Sequence, residues 1–368
     1  MNRKIVILIN HNVTIYNMRK ELVERLVSDG YEVYLSCPYG DRISQLSSMG
    51  CHFIETNYQR HGKNMIADFK LFLKYKGIIK KIRPGFVLTY TVKPNIYGGM
   101  AASFCHVPCI ANITGLGTAV ENPGILRWLV LSLYKFALRK DVCVFFQNME
   151  NEAFFQKHNI ALGRHRLIPG SGVNLIQYRF LDYPQKDTIE FVFISRIMKD
   201  KGIEEYLQAA KYLTKKYPAV RFHICGFCEE AYQCRLESLS RANVICYHGM
   251  VQDVREVLQE VHCLVHPSYH EGMSNAVLEA SACGRPCLCS DIAGCREIVE
   301  EGMTGFLFPP GDTEALIAAI ERFLQLPVEI QKKMGENARK KVAREFDRNI
   351  VVEAYMEEIN KCLSEEKL

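Results

Sequence analysis

Long apolar runs are missing from this chain of 368 residues. None reaches the roughly 18 residues that a membrane-crossing helix needs. The apolar start, Ile5 to Ile9, gives way to Asn10 with no small-residue cleavage site after it, so a first buried strand is expected there and not a secretory leader. Tryptophan occurs once, at Trp128. Tandem repeats, low-complexity tracts and recognised nucleic-acid-binding motifs are absent, and the aromatic residues fall on core-like faces, which argues against a nucleic-acid partner. The 15 cysteines are odd in number and lack the paired spacing of a disulfide framework or a zinc site. Cys225-Gly226-Phe227-Cys228 and the group Cys283, Cys287, Cys289 and Cys295 come nearest. Strand packing accounts for both, with thiols acting as small buried hydrophobes in a reducing cytosol. No metal site is expected.

What is present is a globular composition, 48% hydrophobic and 24% charged, at a length that suits two domains of ordinary size. Strand patterns at 5–10, 33–37, 53–56, 86–90, 109–113 and 142–147 alternate with helix patterns at 18–29, 43–49, 65–83, 98–105 and 125–139. A second set of strands follows at 191–195, 221–225, 244–247, 263–266, 286–290 and 305–308. Repeated βα units mean a parallel sheet with helices on both faces, so two Rossmann-like, doubly wound domains are expected. The break lies in Pro169-Gly170-Ser171-Gly172-Val173-Asn174 and the polar stretch to Lys186, which divides the chain into 1–170 and 171–345.

Charge is split unevenly. Residues 1–170 carry 22 Lys and Arg against 11 Asp and Glu, and the remainder carries 24 against 30. The basic half suits an anionic partner. Its charge gathers on two helices that also carry aromatics: one with Lys70, Lys74, Lys76, Lys80, Lys81 and Arg83, the other with Arg127, Trp128, Lys135, Arg139 and Lys140. Basic, aromatic amphipathic helices fit an anionic membrane surface.

Chemistry concentrates in the second half. Glu271 and Glu279 flank a turn that leads from the apolar stretch Cys263-Leu264-Val265 into a helix. Backbone N–H groups from Met273 through Ser274 and Asn275 to Ala276 are expected free at that helix start, where a phosphate binds readily. Carboxylates beside a phosphate site suit the hydroxyls of a sugar. Upstream, Phe191-Val192-Phe193-Ile194 runs into Ser195-Arg196-Ile197-Met198-Lys199-Asp200-Lys201-Gly202. Arg196 and Lys201 are therefore cations on a strand-to-helix loop, where open parallel sheets bind ligands. A cationic loop and a helix N-terminus with carboxylates suit a sugar carried on a diphosphate.

These motifs, with Ser290-Asp291-Ile292-Ala293-Gly294-Cys295-Arg296-Glu297 and Gly302-Met303-Thr304-Gly305-Phe306-Leu307-Phe308, resemble retaining glycosyltransferases of family 4. In the first half, Thr91-Val92-Lys93-Pro94-Asn95-Ile96-Tyr97-Gly98 and Ile113-Thr114-Gly115-Leu116-Gly117 resemble the branch that builds bacterial capsule, O-antigen and N-glycan precursors. The resemblance implies an α/β GT-B fold, with two Rossmann-like domains facing a cleft. It implies an acceptor-binding domain 1–170 completed by a terminal helix 346–368 that crosses back, and a donor-binding domain 171–345. It implies metal-independent transfer of a hexose or N-acetylhexosamine from a nucleotide-diphosphate sugar, with UDP favoured, to a lipid-diphosphate-linked saccharide. No cofactor beyond that co-substrate is implied. Glu271 would contact the donor sugar and Glu279 the ribose. Arg196 and Lys201 would neutralise the leaving diphosphate, with Gly272, Met273, Ser274, Asn275 and Ala276 completing the donor site. Asn17, Arg19, Lys93 and Thr114 are the acceptor-side candidates. The expected location is cytoplasmic, peripheral at the inner face of the cell membrane.

Two departures from the family pattern stand out. Many relatives have a Gly-Gly loop after the first strand, where this chain has Asn10-His11-Asn12-Val13, and many place a His where Thr114 stands. His11 is the substitute general-base candidate. A sugar-nucleotide 2-epimerase of the same fold and a non-catalytic sugar-nucleotide-binding protein are the alternative readings.

Overall fold

The apolar runs become parallel strands because helices cover both of their faces. The computed structural model describes residues 2–57, 64–117, 120, 124–140 and 142–365, and the side chains as far as Cys362. It divides into two units, Met1–Ser171 with Arg348–Leu368, and Gly172–Asp347.

The first unit holds a seven-stranded sheet in the order β3-β2-β1-β4-β5-β6-β7. Its strands are β1 Lys4–Leu8, β2 Glu32–Cys37, β3 His52–Glu55, β4 Phe86–Tyr90, β5 Cys109–Ile113, β6 Cys143–Phe146 and β7 His165–Leu167. Every pairing is parallel. Alternation along β1 sorts its side chains into two cores. Ile5 and Ile7 join helices α1 (Asn12–Ser28) and α2 (Ile43–Ser48) on one face, while Val6 and Leu8 join α3 (Met65–Ile82) and α4 (Gly99–Phe104) on the other. Helices α5 (Ile125–Ala137) and α6 (Met149–Lys157) extend that second face over β5 and β6.

The last helix of the chain, Arg348–Glu365 (α13, after the second unit's helices α7–α12), packs on the first face. It is fixed by polar contacts as well as apolar ones. Arg348 donates to the Asn17 carbonyl and to Glu21, each at 2.9 Å. The fully buried Glu358 receives Arg164 at 2.8 Å and Arg166 at 3.0 Å. Tyr355 accepts from Asn112 at 2.7 Å. Removing one side of a buried pair of this kind costs about 3–5 kcal/mol.

The second unit holds a six-stranded sheet in the order β10-β9-β8-β11-β12-β13. The strands are β8 Ile189–Ile194, β9 Val220–Cys225, β10 Cys246–Gly249, β11 Cys263–His266, β12 Cys287–Ser290 and β13 Gly305–Phe308, again all parallel. Phe191 and Phe193 face α7 (Ile203–Lys216) and α11 (Thr313–Leu324). Val192 faces the other way, toward α9 (Val254–Glu260), α10 (Asn275–Ala282) and α12 (Val328–Glu345). Helix α8 spans Gln233–Arg241. Each sheet reverses its strand order once, between β1 and β4 and between β8 and β11. Loops leave such a pair of strands in opposite directions and open a crevice at their carboxyl ends. Cysteines serve as core hydrophobes: burial pushes the thiols of Cys37, Cys143, Cys225 and Cys283 up to about 12.

Candidate active site

In the second unit the loops after β8 and β11 meet across the strand-order reversal. The β8 loop closes on a single 3-10 turn, Lys199–Lys201, and Gly202 leaves it in the left-handed region at φ 75°. A Cβ at Gly202 would lie 2.0 Å from the Pro267 carbonyl oxygen, so only glycine permits this approach. Tyr269 N–H donates to the Asp200 carbonyl at 2.9 Å and locks the two loops. Lys201 is thereby held over the β11 loop. Its Nζ donates to Glu271 Oε1 at 2.6 Å and to Ser268 Oγ and the His270 carbonyl at 3.3 Å.

Glu271 is held from two sides. His266, the last residue of β11, places Nε2 3.0 Å from Glu271 Oε1 and 3.0 Å from Ser274 Oγ. Burial pushes the Glu271 carboxyl up, but the His266 bond and the Lys201 charge outweigh it and hold the group far below the usual carboxylate range. Glu271 is an ionised carboxylate with side-chain exposure of 15%, against 14% for Lys201.

Ser274 caps α10, accepting from Val277 N–H. Its own N–H donates to the Gly294 carbonyl at 2.9 Å, which corrects the expectation that this amide is free. Gly294, at φ 81°, approaches the Gly272 carbonyl so closely that a Cβ would lie 2.7 Å away. Glu297 steadies that loop by accepting from Gly294 N–H at 2.6 Å. The N–H groups of Met273, Asn275 and Ala276 have no acceptor among the described residues. Glu279 is half-buried one turn after Asn275, on the same helix face. Arg196 is paired with Glu229 instead of standing open, at 43% side-chain exposure. An exposed pair of this kind is worth about 0–1 kcal/mol and rearranges easily. Lys201–Glu271 is the buried, fixed pair. His266 was not foreseen from the sequence. Its signal was a histidine closing an apolar strand, which places an imidazole at the sheet's carboxyl edge.

In the first unit the acceptor-side candidates scatter. Asn17 is exposed on α1 and offers its carbonyl to Arg348. Thr114 is half-buried directly after β5. Lys93 is paired with Asp68 at 2.7 Å, and Asp68 also accepts from Tyr97 at 3.1 Å. Arg19, the second acceptor-side candidate, is buried. It is 3% exposed, with its guanidinium over Tyr90 at 5.3 Å and Tyr355 at 5.9 Å. His11 caps α1, its Nδ1 accepting from Val13 N–H at 3.2 Å.

One turn in this unit was not anticipated. Thr91, just after β4, has φ 69°, a strained conformation for a β-branched residue. The chain then forms a π-helical turn, Pro94–Gly98, a feature frequent at functional sites. Among the described residues, the buried hydroxyls of Thr89 and Thr91 beside this turn have no hydrogen-bond partner.

The aromatic residues of the basic helices are less buried than expected. Met65, Ile66, Phe69 and Leu73 of α3, Phe104 of α4, and Ile125, Trp128 and Phe136 of α5 are exposed, Trp128 by 70%. Lys70, Lys74, Lys80, Lys81, Lys135, Arg139 and Lys140 are exposed on α3 and around α5. Arg127 instead lies half-buried over Phe154 at 5.0 Å. Among the described residues, no helix is long and apolar enough to cross a membrane.

Residues 180–341 match the family model described as "Glycosyl transferases group 1", and residues 4–148 match "Glycosyl transferase 4-like". The chain is 25% identical over 361 residues to N,N'-diacetylbacillosaminyl-diphospho-undecaprenol alpha-1,3-N-acetylgalactosaminyltransferase of Campylobacter jejuni, covering 93% of this chain and 94% of that one. It is 25% identical to the capsular polysaccharide biosynthesis glycosyltransferase CapM of Staphylococcus aureus, covering 99% and 98%. Its fold is similar to that of sucrose-phosphate synthase from Thermosynechococcus elongatus, with TM-score 0.80, 21% identity and 99% of both chains covered. It is also similar to Anabaena HepE solved with UDP and glucose, with TM-score 0.79, 16% identity, and 97% and 99% covered.

Proposed function

From the premise that this chain belongs to the group 1, family 4-like glycosyltransferases and has their GT-B fold, we propose that it moves a hexose or N-acetylhexosamine from a UDP-sugar to a saccharide carried on a lipid diphosphate. The observation that carries the proposal is the buried Lys201–Glu271–His266 cluster beside the open amides of α10. The relatives are named as transferases, and the name of the Campylobacter jejuni one includes a diphospho-undecaprenol-linked sugar, so the epimerase and non-catalytic readings are not favoured.

The leaving diphosphate fits the N–H groups of Met273, Asn275 and Ala276, with Lys201 and Arg196 as its counter-charges. Glu271, fixed as a carboxylate, accepts from hydroxyls of the donor sugar, and Glu279 from those of the ribose. As the bond between the sugar C1 and the phosphate oxygen breaks, negative charge moves onto the diphosphate. Lys201 is already in place, and charge stabilisation without reorganisation is the largest effect usually open to an enzyme. The acceptor hydroxyl attacks from the face the diphosphate leaves. Its proton passes to the departing phosphate oxygen, and configuration is retained. The strained Thr91 turn and its unpartnered oxygens are the feature of the first unit that fits a hydroxyl-rich acceptor.

The test is a panel of UDP-, GDP- and TDP-sugars read by thermal stabilisation, followed by transfer to a lipid-diphosphate saccharide. A ligand that binds only the folded state raises its melting temperature. UDP-sugars should stabilise and yield an extended lipid-linked glycan; an epimerised nucleotide sugar as the product would overturn the reading.

The exposed apolar and basic residues of α3, α4 and α5 further support peripheral attachment to an anionic bilayer, at about 1 kcal/mol per Lys or Arg near the surface. Co-sedimentation should be strong with anionic vesicles at low salt and fade at high salt, as the Debye length falls from roughly 10 Å to 3 Å. Binding indifferent to lipid charge and salt contradicts it.

A further inference from the structure

The free edge of the second sheet carries a cluster that the transferase chemistry does not use. We propose that His223, Cys246 and His248 form a binding site for a zinc-class transition-metal ion, with Glu190 orienting His223 from behind. One nitrogen of each imidazole and the Cys246 sulfur all lie within 4.8 Å of one another.

Strand register explains the convergence. Cys246 of β10 pairs with His223 of β9, so the two side chains share a face, and His248 follows two residues on. The rings of His223 and His248 lie nearly coplanar and point nitrogen to nitrogen, with centroids 5.2 Å apart and 12° between their planes. His223 Nδ1 lies 2.9 Å from His248 Nε2. Glu190 Oε2 sits 2.6 Å from His223 Nε2, and its other oxygen accepts from Thr188 Oγ1 at 2.6 Å. Nε2 therefore carries the proton and Nδ1 keeps its lone pair toward His248 and Cys246. A carboxylate behind a ligating imidazole is the usual outer support of a metal site. Two nitrogens and a thiolate, with water in the fourth position, suit zinc. Tetrahedral nitrogens would stand about 3.4 Å apart at metal–nitrogen distances of about 2.0–2.1 Å, so the pair needs to open by roughly half an ångström and the exposed His248 ring to turn until both lone pairs meet at the ion. Cys246 and His248 are exposed, which gives the ion an entry path. On binding, the thiol proton goes to solvent and the sulfur bonds the metal.

The place is separate from the proposed donor site. Glu190 precedes Ser195 by five residues, roughly 16 Å of extended strand. The ion would fasten the edge strand β10, whose ladder is irregular between Tyr247 and Gly249.

The test uses the full chain, washed with chelator and titrated with zinc and then with cobalt(II). The expected result is one zinc per chain, a raised melting temperature, and a cobalt–thiolate charge-transfer band in the near ultraviolet. Cys246→Ser should abolish the band and His248→Ala should weaken binding at least tenfold. Glu190→Gln should weaken it about 10- to 100-fold, the usual loss when an outer support is removed. Absence of stoichiometric binding at tens of micromolar zinc overturns the proposal, as does an unchanged cobalt band in Cys246→Ser. The band reports the thiolate directly, so the exposed Cys246→Ser substitution decides the matter even if Glu190→Gln fails to fold.

Discussion

The carboxyl edges of the two sheets differ in how their polar groups are partnered. In the second unit, Lys201, Glu271, His266 and Ser274 contact one another at 2.6–3.0 Å, and neighbouring loops lock to them through main-chain bonds. In the first, the turn after β4 is strained at Thr91, and the hydroxyls of Thr89 and Thr91 are buried without partners among the described residues. A buried unmade hydrogen bond costs about 1–3 kcal/mol, so the first arrangement is tolerated at a stability cost that a ligand can offset. The second has paired its charged side chains before any ligand arrives, and leaves open the α10 amides, His266 Nδ1 and Ser290 Oγ among the described residues. One edge has fixed its charges; the other leaves two threonine hydroxyls unpartnered beside a strained turn. Substitutions that act differently at the two edges test that contrast.

The largest effect is expected at Lys201. Lys201→Ala removes the fixed cation and should lower turnover by about 4 kcal/mol in the transition state, with Arg196→Ala nearer 2 kcal/mol because its side chain is half-exposed and bound to Glu229. Steady-state rates with saturating donor measure both. Equal losses would mean that burial of the pair confers no advantage.

Next comes the acid dependence of stability. Glu271 has a folded pKa far below the ordinary carboxylate value near 4.3. The folded state therefore binds its proton less readily than the unfolded chain. The resulting stability is fully present above about pH 5 and is lost as pH falls through the acid range toward the folded pKa. Glu271→Gln should melt lower than the parent chain by a constant margin from pH 5 to 8, a margin that narrows below about pH 4.5. Melting curves across that range check it; a margin that widens in acid would reverse the assigned sign.

A smaller effect separates the two glutamates. Glu279→Ala should weaken UDP binding about tenfold, about 1.4 kcal/mol, while Glu271→Ala leaves UDP nearly unaffected and lowers transfer. Calorimetry with UDP alone distinguishes them, and equal losses would sink the division of roles.

The same contrast decides what was legible in the sequence. The loop cations and the Glu271–Glu279 spacing were readable because strand, turn and helix follow one another within a few residues. The unbroken apolar run from Phe191 to Ile194 likewise marked a buried strand, and its residues pack on both faces of the sheet. Strand β7 was missed because its three residues, His165, Arg166 and Leu167, have no apolar pattern; it forms by pairing with β6. The sequence separation from Arg19 to Tyr90 and Tyr355 hid the burial of that guanidinium. His223, Cys246 and His248 converge only through the β9–β10 register, which no local spacing announces. The pairing of Arg196 with Glu229 is likewise a contact between separate loops.

The smallest and most discriminating effect is expected at Thr91. A β-branched residue at φ 69° costs on the order of 1–3 kcal/mol. Thr91→Gly removes that strain and an unpartnered buried hydroxyl, while the unfolded chain gains about 0.5–1 kcal/mol of conformational freedom. The net should be a stabilisation of about 1 kcal/mol, or roughly 2–4 °C in a domain of this size. If the turn is strained because it serves the acceptor, the same variant should lose acceptor affinity, raising KM for the lipid-linked saccharide severalfold, with UDP-sugar binding unchanged. A gain in stability with unaltered acceptor kinetics would leave the strain real but without a role in binding. A loss of stability would mean that the threonine makes a contact worth more than the strain. Only the combination of higher melting temperature and poorer acceptor use supports the reading that this edge holds its hydroxyls unpaired for a ligand, whereas the second unit's edge has already paired its charged side chains.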